Sequence, residues 1–267
     1  MLNKIIEWEL VSYCSMKCFY CFVPIINHIK TDLELFNIYN FIDNELKETV
    51  KNDELFIFGG EPFLHPYINQ IIKRLKLNNI NFKIQTQLCK ASFDKIYTIV
   101  KKCNINLHIS YHPSEQDEED VVNDLIKIYK INKNTIQKID MMCGVDNIIN
   151  KYLYFKSILP KEYKELLHLT PVVDFGINSK RSMDMIEQYN IIRRGKWSKL
   201  IQWETTPDWL HDKRSFIWED MRKGGWTTKG KPCIYKNNYI VYTSNLKKFN
   251  CHNLKNVEVC EDHCFLM

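Results

Sequence analysis

Short apolar runs rich in β-formers alternate along this chain with longer segments whose apolar residues recur at helical spacing. The first pair is Ile5–Val11 followed by a helix over about Asp32–Val50, in which Leu35, Tyr39, Ile42 and Leu46 form the buried stripe. Thr31 and Glu34 resemble a capping box at its start. The same alternation predicts strands at Glu54–Phe58, Phe82–Gln87, Ile105–Ser110, Lys138–Met142 and Leu167–Val173. Helices are predicted near Pro66–Leu77, Ser92–Cys103, Asp117–Ile131, Asn147–Leu159 and Ser182–Ile192. Strand-then-helix units in this order predict a parallel α/β sheet, because parallel neighbours need crossovers and those crossovers are right-handed.

After about residue 193 the rhythm breaks. Trp197, Trp203, Trp209, Trp218 and Trp226 fall in a stretch without strand signals, read as a helical bridge that packs its aromatics on the main sheet or lines a substrate wall. From Lys231 a small unit follows, with strand pieces at Ile234–Tyr235 and Tyr239–Thr243. No internal repeat or low-complexity segment interrupts the chain.

At 267 residues and 45% hydrophobic content the chain can bury a large core without staples. No apolar stretch approaches the roughly 18 residues of a membrane helix, and the N-terminus lacks a charged-then-apolar signal, so a cytoplasmic protein without a membrane partner is expected. The formal charge of +5 counts thiols as neutral, and the lysines are scattered rather than gathered in a stripe, so nucleic acid is not indicated. Cysteine usage changes the picture more. Seven of the ten cysteines gather near the two ends of the chain, a pattern that in a reducing compartment favours metal ligation over disulfides.

Cys14-Ser-Met-Lys-Cys18-Phe-Tyr-Cys21 follows the first strand directly and so lies in a loop at its C-terminal end, where α/β folds carry their sites. Soft thiolates select zinc, copper(I) or iron–sulfur, and a structural zinc site usually draws four ligands from paired Cys-x2-Cys elements. Three thiolates in one loop leave a cubane with one iron lacking a protein ligand. Gly59-Gly60-Glu61-Pro62 follows the second strand in the same way. There, glycine lets the backbone come close to a ligand, and Glu61 can accept hydrogen bonds from a cationic amine.

These two motifs resemble the radical S-adenosylmethionine (SAM) superfamily, whose hallmark is Cys-x3-Cys-x2-Cys with an aromatic residue before the third cysteine, here Tyr20. The resemblance implies a partial (β/α)6 TIM-like barrel over residues 1–195. It implies a [4Fe–4S] cluster on Cys14, Cys18 and Cys21, with SAM on the open iron and Gly59, Gly60, Glu61 and Pro62 at its amino group. Reductive cleavage would then give methionine and a 5′-deoxyadenosyl radical that takes a substrate hydrogen, with electrons from a donor such as flavodoxin or ferredoxin. The cofactor supplies the difficult chemistry while the protein orients it and excludes solvent. The family also implies ribose contacts from Gln85-Thr86-Gln87 and Ser110, and Tyr20 near the adenine. Its usual Thr-Asn-Gly ending of strand three is absent, since Thr86 is followed by Gln87 and Leu88.

Cys233, Cys251, Cys260 and Cys264 form a second group, able to close a tetrahedral zinc site or to saturate a second [4Fe–4S] cluster. Their placement resembles the twitch subset of the SPASM group, which implies a Trp-rich bridge over 196–230 and an α+β auxiliary-cluster domain over 231–267. His252 and His263 adjoin this group as surface residues or replacement ligands. His108, His112 and the segment Ser110-Tyr111-His112-Pro113 lie at the end of strand four and offer a proton acceptor or substrate contacts, or simply a strand end before an acidic helix start. Cys89, Cys103 and Cys143 are isolated and expected to behave as small apolar residues, except that Cys143 follows strand five and could reach the cavity.

The expected function is oxidation or cross-linking of a peptide, sugar or other polar metabolite, with the auxiliary cluster accepting an electron. A redox-neutral epimerisation or rearrangement and a zinc-bound scaffold without enzymatic activity stand as alternatives. The first strand begins a few residues after Met1, an expectation that weighs against a peptide-recognition domain ahead of it.

Overall fold

The computed structural model describes residues 4–18, 21, 34–143, 148–171 and 238–250. The strands are β1 (Ile5–Val11), β2 (Leu55–Gly59), β3 (Phe82–Thr86), β4 (Asn106–Tyr111), β5 (Ile136–Cys143), β6 (Leu167–Pro171), β7 (Tyr239–Tyr242) and β8 (Lys248–Phe249). They form one sheet in the order β6-β5-β4-β3-β2-β1-β7-β8. Every pairing from β6 to β7 is parallel, and only β8 runs antiparallel, to β7. The expected α/β class and parallel barrel-type sheet are therefore present.

Helices α3 (Ile68–Leu77), α4 (Lys90–Lys102), α5 (Glu118–Ile131) and α6 (Ile148–Ile158) connect successive strands, as the periodicity predicts. Asp117 opens α5 by accepting hydrogen bonds from the Glu119 and Asp120 amides at 2.9 and 3.1 Å. A short helix that the pattern did not predict, α7 (Lys161–Glu165), follows Pro160 and buries Tyr163.

The first helix differs from expectation. It begins as α1 (Leu35–Asn40), widens to a π-helical turn over Phe41–Leu46 and closes as α2 (Lys47–Val50). Glu34 has ψ near 139° and makes no side-chain cap bond, so it stands outside the helix instead of at the third helical position that a capping box requires. The expected start at Asp32 is corrected to Leu35, and Thr31 lies outside the described residues. The wider turn also moves the buried stripe, which consists of Ile38, Phe41, Ile42, Leu46 and Val50, while Leu35 and Tyr39 are only half-buried.

Strand alternation gives the sheet two unlike faces. Ile6, Trp8, Leu55, Ile57, Ile84, Leu107, Ile109, Ile139 and Leu169 belong to the apolar core with the helices. Trp8 meets Phe41 edge-on at 5.2 Å, and Phe41 meets Tyr242 at 4.9 Å. Each fully buried aliphatic of this kind contributes about 2 kcal/mol relative to exposure. Glu7, Glu9, Lys83, Gln85, His108, Lys138, Asp140 and His168 occupy the alternate positions, on the opposite face, together with Phe56 and Phe58.

The strand piece Tyr239–Thr243 is β7 over Tyr239–Tyr242, and it pairs with β1 from Ile5↔Tyr239 to Trp8↔Tyr242. It thereby extends the main sheet beyond β1. Residues 172–237, with the expected helix Ser182–Ile192, the Trp-rich stretch and Cys233, lie outside the described residues, as do Cys251, His252, Cys260, His263 and Cys264.

Candidate functional site

The C-terminal ends of β1 to β4 bring three segments together. The loop carrying Cys14, Cys18 and Cys21 leaves β1, and the Gly59–Glu61 turn leaves β2 beside it. The Gly60 amide donates to the Val11 carbonyl at 2.7 Å and the Glu61 amide to the Tyr13 carbonyl at 2.8 Å, so the two motifs lie backbone against backbone. This contact is why glycines stand there. A Cβ on Gly59 would sit 2.0 Å from the Val11 carbonyl oxygen, and one on Gly60 would sit 2.0 Å from that of Tyr13 and 2.9 Å from the Cys14 nitrogen. Gly59 also has φ of +140°, which L side chains rarely adopt.

Glu61 ties this turn to the end of β3. Its fully buried carboxylate accepts from the Phe63 amide (3.0 Å), the Gln87 amide (3.0 Å) and the Thr86 hydroxyl, which lies 3.0 and 2.9 Å from its two oxygens. Burial outweighs these donors and raises the Glu61 carboxyl to about 7. Pro62 starts a single 3-10 turn, Pro62–Leu64. Leu88 holds a left-handed φ of +53° while buried, a conformation that costs a non-glycine residue on the order of 1 kcal/mol.

Gln87 is the group that most clearly points to a ligand. Its Nε2 donates to the Gly60 carbonyl at 2.5 Å, which fixes the amide orientation. Its buried Oε1 has no donor among the described residues. An acceptor left in this state beside the Gly-Gly-Glu turn suits an ammonium or a hydroxyl.

Support for the cysteine loop comes from the segment after β4. The Lys17 amide donates to Glu115 Oε2 at 3.1 Å, and His112 Nδ1 lies 3.4 Å from Cys18 Sγ. His112 Nε2 lies 3.0 Å from Ser110 Oγ, so Ser110, expected at a ribose, is engaged within its own segment. The His112 amide donates to Gln116 Oε1 at 2.8 Å, and Gln116 Nε2 donates to the Gln87 carbonyl at 2.6 Å. Burial lowers the His112 imidazole to about 4, which keeps it neutral in water near pH 7. Met16, Cys21 and Met142 pack around Cys18, and the Cys21 amide closes a turn on the Cys18 carbonyl at 3.0 Å.

Among the described residues, no three His, Cys, Asp or Glu side chains are gathered about one point to hold a metal ion. The three thiols share a supported loop, and their donor chemistry suits iron–sulfur or zinc. Burial drives the Cys14 thiol up to about 11, so at neutral pH it keeps its proton until a metal replaces it.

On the polar face, His108 Nε2 lies 2.6 Å from Asp140 Oδ2, and Asp140 Oδ1 is met by Thr170 Oγ1 at 2.6 Å and Lys138 Nζ at 3.1 Å. Burial pushes the Asp140 carboxyl upward, but the His108 bond and the Lys138 charge outweigh it and hold the group below the usual carboxylate range. Gln85 is half-buried on this face and pairs in register with His108. Cys89 is buried with its sulfur 3.1 Å from Ser92 Oγ, and Cys103 packs at the core edge. Tyr20 and the side chain of Cys143 lie outside the described residues. Glu115 and Gln116 were not singled out by sequence reasoning, and their only signal is a polar pair just after Pro113.

No family model matches the chain. A Methanocaldococcus jannaschii protein described as a glycyl-radical enzyme activating enzyme is 32% identical over 108 residues, which is 38% of this chain and 41% of that protein. Streptococcus suis SuiB bound to its precursor peptide SuiA matches with a TM-score of 0.58 at 12% identity, over 98% of this chain and 62% of SuiB. SuiB bound to S-adenosylmethionine matches equally well, with a TM-score of 0.58 at 13% identity, over 98% of this chain and 63% of that one. The enzyme anSMEcpe with bound AdoMet and the Cp18Cys peptide matches with a TM-score of 0.52 at 14% identity, over 94% of this chain and 74% of that one. The chain thus spans about two fifths of the curated relative and less than two thirds of SuiB. These neighbours are radical SAM enzymes with TIM-like barrels, and the chain has their fold.

Proposed function

We propose that this chain is a radical SAM enzyme acting on a polypeptide. One observation carries the reading: the segment leading into the three-cysteine loop and the Gly-Gly-Glu turn are hydrogen-bonded to each other at the C-terminal ends of β1 and β2, through Val11 and Tyr13. Cys14, Cys18 and Cys21 would hold a [4Fe–4S] cluster, with Gly59, Gly60, Glu61, Pro62, Gln85, Gln87, Ser110 and Tyr20 around SAM. The bound cluster and SAM would supply reductive cleavage of a carbon–sulfur bond and thereby hydrogen-atom abstraction from the substrate.

The chain's own contribution is placement. Gly59 and Gly60 bring the amine-binding turn against the cysteine loop, and the Glu61 carboxylate braces that turn to Thr86 and Gln87. Gln87 Oε1 supplies an acceptor for a SAM ammonium or ribose hydroxyl. His108, Lys138 and Asp140 give the sheet's polar face the means to hold polar substrate groups. A polypeptide substrate is supported by the bound peptides of SuiB and anSMEcpe and by the description of the archaeal relative.

In the oxidative form of the reading, Cys233, Cys251, Cys260 and Cys264 carry an auxiliary [4Fe–4S] cluster in a twitch-like domain over 231–267, after a bridge over 196–230. That cluster accepts the second electron, in a cytoplasmic enzyme served by flavodoxin or ferredoxin. The activating-enzyme description of the archaeal relative favours a second form, in which the product is a modified protein without net two-electron oxidation. Product mass separates the two, because dehydrogenation lowers it by about two units, by hydrogen bookkeeping on cofactor-driven catalysis.

The decisive assay is 5′-deoxyadenosine formation from SAM by anaerobically reconstituted protein with dithionite. Wild type is expected to form it, and Cys18→Ala is expected to form none. Activity retained in Cys18→Ala overturns the ligand assignment, and zinc without iron or sulfide in wild type overturns the reading.

A further inference from the structure

We propose that His112 is a positioning residue for the cluster ligand Cys18, donating its Nδ1–H to the Cys18 sulfur and thereby raising the reduction potential of the cluster. The inference rests on the cluster assignment above but goes beyond it. His112 Nδ1 lies 3.4 Å from Cys18 Sγ, within reach of an N–H···S hydrogen bond. A metal-bound thiolate has no proton to give, so the proton of this contact belongs to Nδ1. Nε2 is then the acceptor, and the Ser110 hydroxyl 3.0 Å away is its donor. Both ring nitrogens are used in a single tautomer.

The ring is held in this orientation from outside the cysteine loop. The His112 amide is tied to Gln116, and Gln116 is tied to the Gln87 carbonyl at the end of the neighbouring strand. The same segment grips the loop again through Glu115 and the Lys17 amide. Hydrogen bonds to the sulfurs of an iron–sulfur cluster draw off negative charge and stabilise the reduced state more than the oxidised one. Second-sphere partners also orient metal ligands and tune the metal they hold. His112 is therefore removed from the set of proton acceptors for substrate and assigned to the electron-entry step.

The test uses the anaerobically reconstituted full chain. In wild type labelled with 15N-histidine, pulsed EPR of the reduced SAM-binding cluster is expected to show a weakly coupled 15N, and the coupling is expected to vanish in His112→Gln. Redox titration of His112→Phe with full iron loading is expected to give a reduced-to-oxidised ratio about tenfold lower at a fixed poise, a midpoint about 59 mV more negative for one electron. His112→Gln, which keeps an N–H donor, is expected to lie between the two. No 15N coupling in a wild-type protein that carries the cluster, or an unchanged midpoint in His112→Phe, overturns the inference and leaves the functional reading intact. If His112→Phe loads no cluster, the wild-type 15N signal decides alone. If wild type itself loads none, it is the functional reading that fails.

Discussion

Glu61 and Asp140 are both buried carboxylates of one sheet, yet their surroundings drive them in opposite directions. Glu61, just after β2, is met by two backbone amides and a threonine hydroxyl and feels the charge of Lys95 without an ion pair to it, and burial wins, raising it to about 7. Asp140, on β5, is met by His108 and Lys138 as well as Thr170, and this pairing outweighs burial. Neutral donors satisfy the geometry of a carboxylate without fully replacing its lost hydration, whereas a cation also replaces charge. The contrast suits the two places. Under the proposed function, the turn around Glu61 would meet a cationic sulfonium nucleotide, which would add to the positive charge of Lys95 there. Asp140 already has a cationic partner in Lys138, 3.1 Å away.

The largest expected effect comes from unbalancing the second region. Asp140→Asn removes the anion shared by buried His108 and half-buried Lys138 and should cost about 3 kcal/mol, measured by urea unfolding at pH 7. The depressed carboxyl of Asp140 contributes stability that is present above its unfolded value of 3.8 and is lost as pH falls through its folded value. The difference between wild type and variant should therefore shrink below about pH 4.

Glu61→Gln sharpens the comparison from the other side. With the folded value raised from 4.5 to about 7, the folded state holds a proton that the unfolded state has released. Stability from this group is therefore greatest below pH 4.5 and falls as pH rises to 7, by up to about 3 kcal/mol. Unfolding curves across that window should slope downward in wild type and lose most of this slope in the variant. A wild type whose stability rises across the same window would break the comparison. The smallest effect is expected for Thr86→Val, which removes one neutral donor from Glu61 while keeping its shape. It should cost about 1 kcal/mol and push the Glu61 carboxyl higher, read by the same pH series.

The elements most legible in the sequence were those that short-range rules decide. Strands such as Ile5–Val11 show their period, and the cysteine triplet and Gly-Gly-Glu turn follow strand ends where α/β sheets carry chemistry. What escaped depends on partners far along the chain. The pairing of β7 with β1 joins residues more than 200 positions apart, and nothing in Tyr239–Tyr242 names its neighbour. Gly59 and Gly60 read as an approach to a ligand, and the structure adds a close approach to backbone, of Val11 at the end of β1 and of Tyr13 and Cys14 in the loop that follows. His112 read as a proton acceptor, a substrate contact or part of a strand end, and its ring lies against Cys18 and Ser110. The π-helical turn over Phe41–Leu46 and the left-handed Leu88 run against local preference and carry no signal in the sequence.

In the proposed function the loop of Cys14, Cys18 and Cys21 carries a cluster with a corner open to SAM. EPR of the dithionite-reduced protein with and without SAM tests it most directly, using Cys260→Ala to remove overlap from a second cluster. The account predicts a reduced [4Fe–4S] signal whose shape changes when SAM is added. A signal indifferent to SAM, or a protein that takes up no iron, would contradict it.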